Sequence, residues 1–563
     1  MNSETKTCQS CKKEFTIEPD DFSFYEQIQV PPPTWCPECR MIRRLAWCGY
    51  RLLYKRKCDF TGDSVISTYH PDSLHKTYRQ DVWWSDKWDS KNYGRDYDFS
   101  KSFFEQFDQL FKEVPHPVLY TNYAAMVRSE YCNAAHGLKD CYLCFRADNS
   151  ENCAYLSTIT EMKDCFDSNY ANICELSYDL LNCNKCYQTF SSEDCEECHN
   201  VYFSKNLVGC SNCIGCINLR SQNYQIFNEP VSKEEFEKQL KELQLGSYKS
   251  REEFRKRAEI FFLKHPRKAF HGRKNENVSG DYLVNSKNVR DSYMAGNAED
   301  VRYGQLLKAG PTKKAYDYTQ FGENAEWIFE SAWTGINVNN IKFGLWDYNA
   351  HHLEYSYGCH GSENLFGCVG VRKGSYCILN KQYTKEEYEE LVPKIRKQML
   401  EVPYQDSLGR EYRYGEYFPI ELCPWAYNES LAYEFFPLTK NEALKKGFRW
   451  RDPDAREYQN ATVEVPDNIK DVSDEIMKGI LKCDNCGKNY QIIQMELDFY
   501  RRFQIPIPRH CPLCRDWGRV ARLSPIRIYD RTCAKCGKPI KTSYAPERPE
   551  IVYCEECYNS EVA

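Results

Sequence analysis

Two widely separated stretches of this chain follow one cysteine plan. Cys8, Cys11, Cys36 and Cys39 read C-x2-C-x24-C-x2-C, and Cys483, Cys486, Cys511 and Cys514 repeat that spacing at a constant offset of 475. The offset also pairs Phe15 with Tyr490, Phe24-Tyr25 with Phe499-Tyr500, Pro31 with Pro506, Pro33 with Pro508 and Arg40 with Arg515. Two C-x2-C knuckles supply the four thiolates of a closed tetrahedral zinc site, which stabilises a fold but leaves no coordination position for substrate. A third set, Cys533, Cys536, Cys554 and Cys557, is spaced C-x2-C-x17-C-x2-C and predicts another such site. Its counterparts at the same offset are Cys58, Thr61, Arg79 and Val82, while Gly62, Tyr69, Pro71 and Tyr78 still match Gly537, Tyr544, Pro546 and Tyr553. Three structural zinc ions are therefore expected, with the N-terminal copy keeping the backbone plan of a lost fourth site.

The segments CQSCKKEFTIEPDDFSFYEQIQVPPPTWCPECR and CDNCGKNYQIIQMELDFYRRFQIPIPRHCPLCR resemble the small bacterial zinc-ribbon domain, recognised by CxxC, an aromatic, FY, a proline approach and CPxCR. The resemblance covers residues 8–45 and 483–520 and implies zinc binding rather than an activity. The whole chain also resembles large, uncharacterised, cysteine-rich bacterial proteins that share the CPECRxxRR start, NCxxCY units and an FPLTK segment, here within Tyr427 to Asp452.

Between the terminal modules the cysteines recur with a period of 21. Cys132, Cys153, Cys174, Cys195 and Cys216 form one column, Cys144, Cys165 and Cys186 a second, and Cys141 and Cys183 a third with Met162 between them. Such repeats are the signature of stacked units that bury a face only against their neighbours. The units lack a helical 3.6-residue pattern, so strands are expected. The fold class expected is mainly β and multidomain: two β-solenoid, parallel β-helix-like modules with capping helices, flanked by four-cysteine zinc-ribbon modules at both termini. The first solenoid is expected to have about 21 residues per flattened coil. Its cysteines read as small apolar fillers of inward positions; a ladder of metal sites is the competing reading.

The expected order is a zinc ribbon with a degenerate second zinc module at 1–82, an aromatic helical connector at 83–129 and a cysteine-rich solenoid at 130–229. A helical insert at 230–277, a second solenoid at 278–380 and a helix at 381–400 follow. An FPLTK-containing linker at 401–480 leads to tandem zinc modules at 481–563. The two solenoids end alike: Asn223–Leu240 and Ser375–Val392 correspond at an offset of 152, with capping signals Ser232-x2-Glu235 and Thr384-x2-Glu387.

Charge is uneven. The net charge is −6, yet residues 36–58 carry seven Lys/Arg against one Glu and residues 501–541 eleven against two Asp. Basic zinc modules suggest contact with the phosphates of RNA or DNA, through Arg40, Arg44, Arg515 and Arg519, which follow the knuckles in both copies. A solvated face, or pairing with the chain's own acidic middle, is the plainer reading. Asp347, His351, His352 and His360 are the candidates for acid–base or glycan chemistry, but no paired-carboxylate, Cys/His or phosphate-loop constellation accompanies them. A non-catalytic zinc scaffold is expected, binding nucleic acid or protein rather than a small molecule. The start is polar and no run approaches about 20 apolar residues, so a cytoplasmic protein without a membrane span is expected, in a compartment that keeps 31 cysteines reduced.

Overall fold

A computed structural model describes residues 2–452 and 458–562; part of the expected 401–480 linker lies outside the described residues. The chain forms two compact units, each assembled from distant segments. One comprises residues 1–119, 270–452 and 526–528; the other comprises 120–269, 453–525 and 529–563. The protein is strand-rich and multidomain, with cysteine clusters toward both termini.

The second-named unit contains a parallel ladder in which each strand pairs with the one twelve residues on. Asn133 aligns with Phe145, Phe145 with Ser157, Tyr187 with His199, His199 with Ser211 and Ser211 with Asn223. Single bridges such as Lys139 to Glu151 and Asn172 to Asn184 keep that step. Every third residue from Ala134 to Phe227 has a left-handed φ between 46° and 65°. Asn, Asp and Gly, which tolerate that conformation best, recur at these corners. Each corner is preceded by one ladder residue and followed by one inward residue. Every third residue from Cys132 to Cys216 is accordingly buried.

The expected coil of 21 residues is therefore not what forms. Twenty-one is seven tripeptides, a multiple of the true inward spacing of three, whereas the strands repeat at four tripeptides. The gaps of 9 and 12 between cysteines follow from the same spacing.

In the other unit a second parallel ladder starts with the same step, as in Ser292 beneath Gly280 and Glu299 beneath Lys287. The step widens to 14 and then 13 at Ala298–Thr312–Ala325–Val338. It returns to twelve from Asn339 through His351 and Glu363 to Ser375. The widened part holds the two longest strands, Thr312–Phe321 and Ala325–Thr334.

Each ladder ends in a helix, as the paired sequences predict. Lys233–Glu242 is capped by Ser232 and rests Phe236 edge-on against Tyr224, ring centres 5.7 Å apart. Lys385–Glu401 is capped reciprocally by Thr384 and Glu387 and sets Tyr388 against Tyr376 at 5.8 Å. The helical insert expected at 230–277 also holds the helix Tyr248–Phe262.

Candidate metal centres

Each first knuckle is a tight turn closed by its own backbone. The Lys12 amide donates to the Cys8 carbonyl at 3.1 Å, and the Gly487 and Gly537 amides donate to Cys483 and Cys533 at 2.9 Å. The turn residue sits at φ 62° for Lys12, 72° for Gly487 and 74° for Gly537, which favours glycine at two of the three positions. In the two terminal ribbons the second knuckle starts a helix. Cys36 and Cys511 are the N-caps of Pro37–Ala46 and Pro512–Val520, with proline in the first turn where its missing N–H costs nothing. The CPxCR motif is thus one helix start: cap, proline, second thiol and the first inward-facing arginine.

These turns bring together all twelve predicted ligands. In each of the sets Cys8/Cys11/Cys36/Cys39, Cys483/Cys486/Cys511/Cys514 and Cys533/Cys536/Cys554/Cys557, the four sulfurs lie within 4.8 Å of one another. Cys11 and Cys36 Sγ are 3.7 Å apart, and the Cys486–Cys511 and Cys536–Cys554 pairs 3.8 Å. A tetrahedron with metal–sulfur bonds of about 2.3 Å has an edge of about 3.8 Å, so the donor sets fit a four-thiolate ion. Amides also point at the sulfurs: Cys36 N–H donates to Cys8 Sγ and Cys554 N–H to Cys533 Sγ, both at 3.2 Å. Burial opposes ionisation of Cys483, yet the amides of Cys486, Cys511 and Asn485 bring its thiol down to about 7. The same contest, with the amides of Cys536, Cys554 and Lys535, brings Cys533 to about 6.

The degenerate copy keeps the turn without the ligands. Gly62 N–H donates to the Cys58 carbonyl at 2.9 Å and Arg79 N–H to Cys58 Sγ at 3.3 Å, matching Gly537 and Cys554. Where the four-cysteine copy has Cys554, the Arg79 guanidinium pairs with Asp63 at 2.8 Å and Asp81 at 2.6 Å.

The four arginines proposed to meet phosphate are buried instead. Arg40 and Arg44 both pair with Asp317, at 2.8 and 3.0 Å, and Arg44 also reaches Glu330 at 3.0 Å. Arg43, which sequence reasoning missed, joins Glu330 at 2.6 Å and Glu416 at 3.0 Å. In the other unit Arg515 and Arg519 both meet Asp167 at 3.0 Å, and Arg515 also meets Glu496 at 3.2 Å. Three arginines face three carboxylates in one unit, and in the other Arg515 and Arg519 face Asp167, Glu496 and Asp516, so the guanidinium charges are met within the protein. The assignment of these four side chains to nucleic acid is corrected: desolvated and paired, they dock the helix that follows a knuckle onto a ladder. Their acceptors, Asp317, Glu330, Asp167 and Glu496, carry no motif; only the i, i+3, i+4 spacing of Arg40, Arg43 and Arg44 marks one inward helix face.

The candidate acid–base residues do not converge. Asp347 is wholly buried, accepts from Ser356 Oγ and Cys359 N–H at 2.8 Å each, and is pushed by burial to about 7. His351 and His352 are exposed on one strand. His360 is boxed by Trp84, Trp346 and Tyr348, with ring centres at 5.0, 4.6 and 4.9 Å, and burial lowers it to about 3.

The thirteen cysteines of the first ladder lie outside the four-thiol sets. They serve the backbone. Cys141 Sγ donates to the carbonyls of Lys139 and Ser150, and Cys174 Sγ to that of Asn172. Cys132 and Cys174 Sγ accept the amides of Cys144 and Cys186, twelve residues on, at 3.4 Å. Inward serines act identically: Ser168 Oγ donates to Phe166 and accepts from Leu180, and Ser204 Oγ donates to Tyr202 and accepts from Cys216. These inward side chains receive amides that the ladder's own carbonyls do not.

No family model matches this chain, and no curated protein matches it. Among solved structures it is similar to one described as a putative acetyltransferase from Desulfovibrio desulfuricans G20, at 10% identity and a TM-score of 0.10, over 52% of this chain and 74% of that one. That likeness is too slight to bear on fold or activity. Among the described residues, no helix is long and apolar enough to cross a membrane.

Proposed function

We propose that the chain is a zinc-stabilised, non-catalytic binding scaffold, with zinc ribbons at the termini anchoring two repetitive strand modules in a reducing cytoplasm. The observation that carries this reading is the closed four-sulfur geometry, with edges near those of a zinc tetrathiolate and nowhere for a substrate to bind the metal. The acid–base candidates, scattered between interior, surface and aromatic box, support no reaction. A protein partner is favoured over nucleic acid, because the arginines that seemed suited to phosphate are neutralised internally. Purification from the native host with and without nuclease tests this. A partner retained at high salt and unaffected by nuclease supports the protein scaffold, whereas salt-labile, nuclease-sensitive retention of RNA or DNA replaces it. Metal analysis tests the zinc assignment, which requires three zinc ions per chain.

A further inference from the structure

The two units are built from matching contacts. Phe24 stacks on Tyr316 at 3.9 Å, and Phe499 lies on Phe166 at 4.4 Å. Thr77-Tyr78 pairs in parallel with His116-Pro117, and Val552-Tyr553 pairs in parallel with Arg267-Lys268. Phe103 meets Tyr355 at 5.0 Å, and Phe254 meets Phe203 at 5.2 Å. Residues of the terminal modules shift by 475 between the sets, whereas those of the connector helices, strands and ladders shift by 150 to 152. The pairs of Arg40 and Arg44 with Asp317 match those of Arg515 and Arg519 with Asp167 by the same two shifts.

These offsets reveal an exchange. The helix Phe103–Glu113 and strand His116-Pro117 immediately precede the first ladder in sequence, yet they belong to the unit that holds the second. The helix Tyr248–Phe262 and strand Arg267-Lys268 immediately precede the second ladder, yet they belong to the unit that holds the first. The chain leaves its unit at corresponding points, after Leu119 and after Ala269. The zinc modules follow suit, the N-terminal ribbon seating on the second ladder's strands and the first C-terminal ribbon on the first ladder's.

We infer that this chain is a fused, reciprocally exchanged pair of related halves, in which each half supplies the docking elements for the other half's ladder. Cut between the helices Lys233–Glu242 and Tyr248–Phe262, neither half holds a complete unit, and the two form an obligate one-to-one complex.

Hydrogen exchange on the full chain tests the exchange directly. Phe103→Ala, in the segment leading into the first ladder, is expected to raise amide exchange at least tenfold in the second ladder around Glu363–Phe366, leaving Ser211–Ile214 unchanged; Phe254→Ala is expected to do the reverse. Loosening of the ladder that follows the mutated helix in sequence would overturn the inference. A second measurement does not depend on those variants folding. A protease site is inserted after Glu242, which is exposed; the protein is cleaved, unfolded and separated, and the halves are refolded with zinc alone and mixed. Alone, neither half should show a cooperative urea transition, and mixing should restore that of the uncleaved chain. Cooperative refolding of either half alone, or failure of the mixture where the uncleaved chain refolds, rejects the obligate pair.

Discussion

Cys174 separates two explanations for a core full of cysteine. If these thiols were only small apolar fillers, Cys174→Ala would be milder than Cys174→Ser, since a serine hydroxyl buried without partners costs about 1–3 kcal/mol. The geometry predicts the opposite order. Cys174 Sγ donates to the Asn172 carbonyl at 3.2 Å and accepts the Cys186 amide at 3.4 Å. Alanine removes both and strands a buried N–H, costing about 1–3 kcal/mol, with roughly 1 kcal/mol more for the lost sulfur contacts. The total is about 2–4 kcal/mol. Serine keeps both bonds in the geometry Ser168 already uses, at 3.1 and 3.2 Å, and forfeits only the sulfur contacts, roughly 1 kcal/mol. Urea unfolding of the two variants reads the order, and hydrogen exchange at the Cys186 amide reads the cause: that amide should be deprotected in the alanine variant and protected in the serine variant. Alanine equal to or more stable than serine would refute the hydrogen-bonding account. Loss of a metal ion in either variant would also count against it.

Other expectations follow from the same geometry. Cys511→Ser should reduce the metal content from three ions to two and loosen the helix Pro512–Val520, as read by metal analysis and proteolysis. Because the Cys483 and Cys533 thiols are lowered to about 7 and 6, the stability they contribute is present above the usual thiol pKa and is lost as pH falls through those values. Metal release followed by a chromogenic chelator should therefore rise on acidification. Asp167→Asn removes the carboxylate that Arg515 and Arg519 share and should destabilise its unit by about 3 kcal/mol in denaturant, while any RNA or DNA affinity stays unchanged. Asp347 is raised to about 7 from an ordinary 3.8, so its contribution is full below pH 4 and is lost as pH rises through 7. Asp347→Asn keeps an acceptor for Cys359 N–H and should flatten the stability profile between pH 4 and 8.

The metal centres were legible in the sequence because a knuckle is local: two cysteines and a turn residue fix its geometry within six residues, and the constant offset exposes the copies. The strand modules were half legible. Inward residues fall every three positions, so cysteines, interspersed with serine, alanine and leucine, can repeat at any multiple of three, and only backbone pairing selects twelve. The arginines were misjudged for a different reason. Arg40 and Arg44 look like a basic surface until Asp317 and Glu330, some 275 residues away, are brought against them, and nothing local to either partner records that meeting. The exchange of docking elements was concealed likewise, although the offsets of 475 and 152 were both visible; it emerges only when the two shifts are applied to opposite sides of one contact.

The degenerate module shows how much of a knuckle stands without four thiols. With Cys58 alone, the turn, the amide-to-sulfur bond and the pairing of Thr77-Tyr78 with His116-Pro117 all persist, matching the four-thiol copy bond for bond. Arg79 bridges Asp63 and Asp81, but its side chain is 42% exposed, and surface pairs contribute about 0–1 kcal/mol each. Packing holds this knuckle without a full ligand set: Tyr69 is buried there against His116 and Trp425, at 5.5 Å from each. It follows that the backbone remains competent for metal. The triple variant Thr61→Cys, Arg79→Cys, Val82→Cys should take up a fourth ion with little rearrangement, counted by metal analysis against the parent's three. A triple variant that folds but still binds three would mean that the retained backbone bonds are not the ones that set ligand geometry.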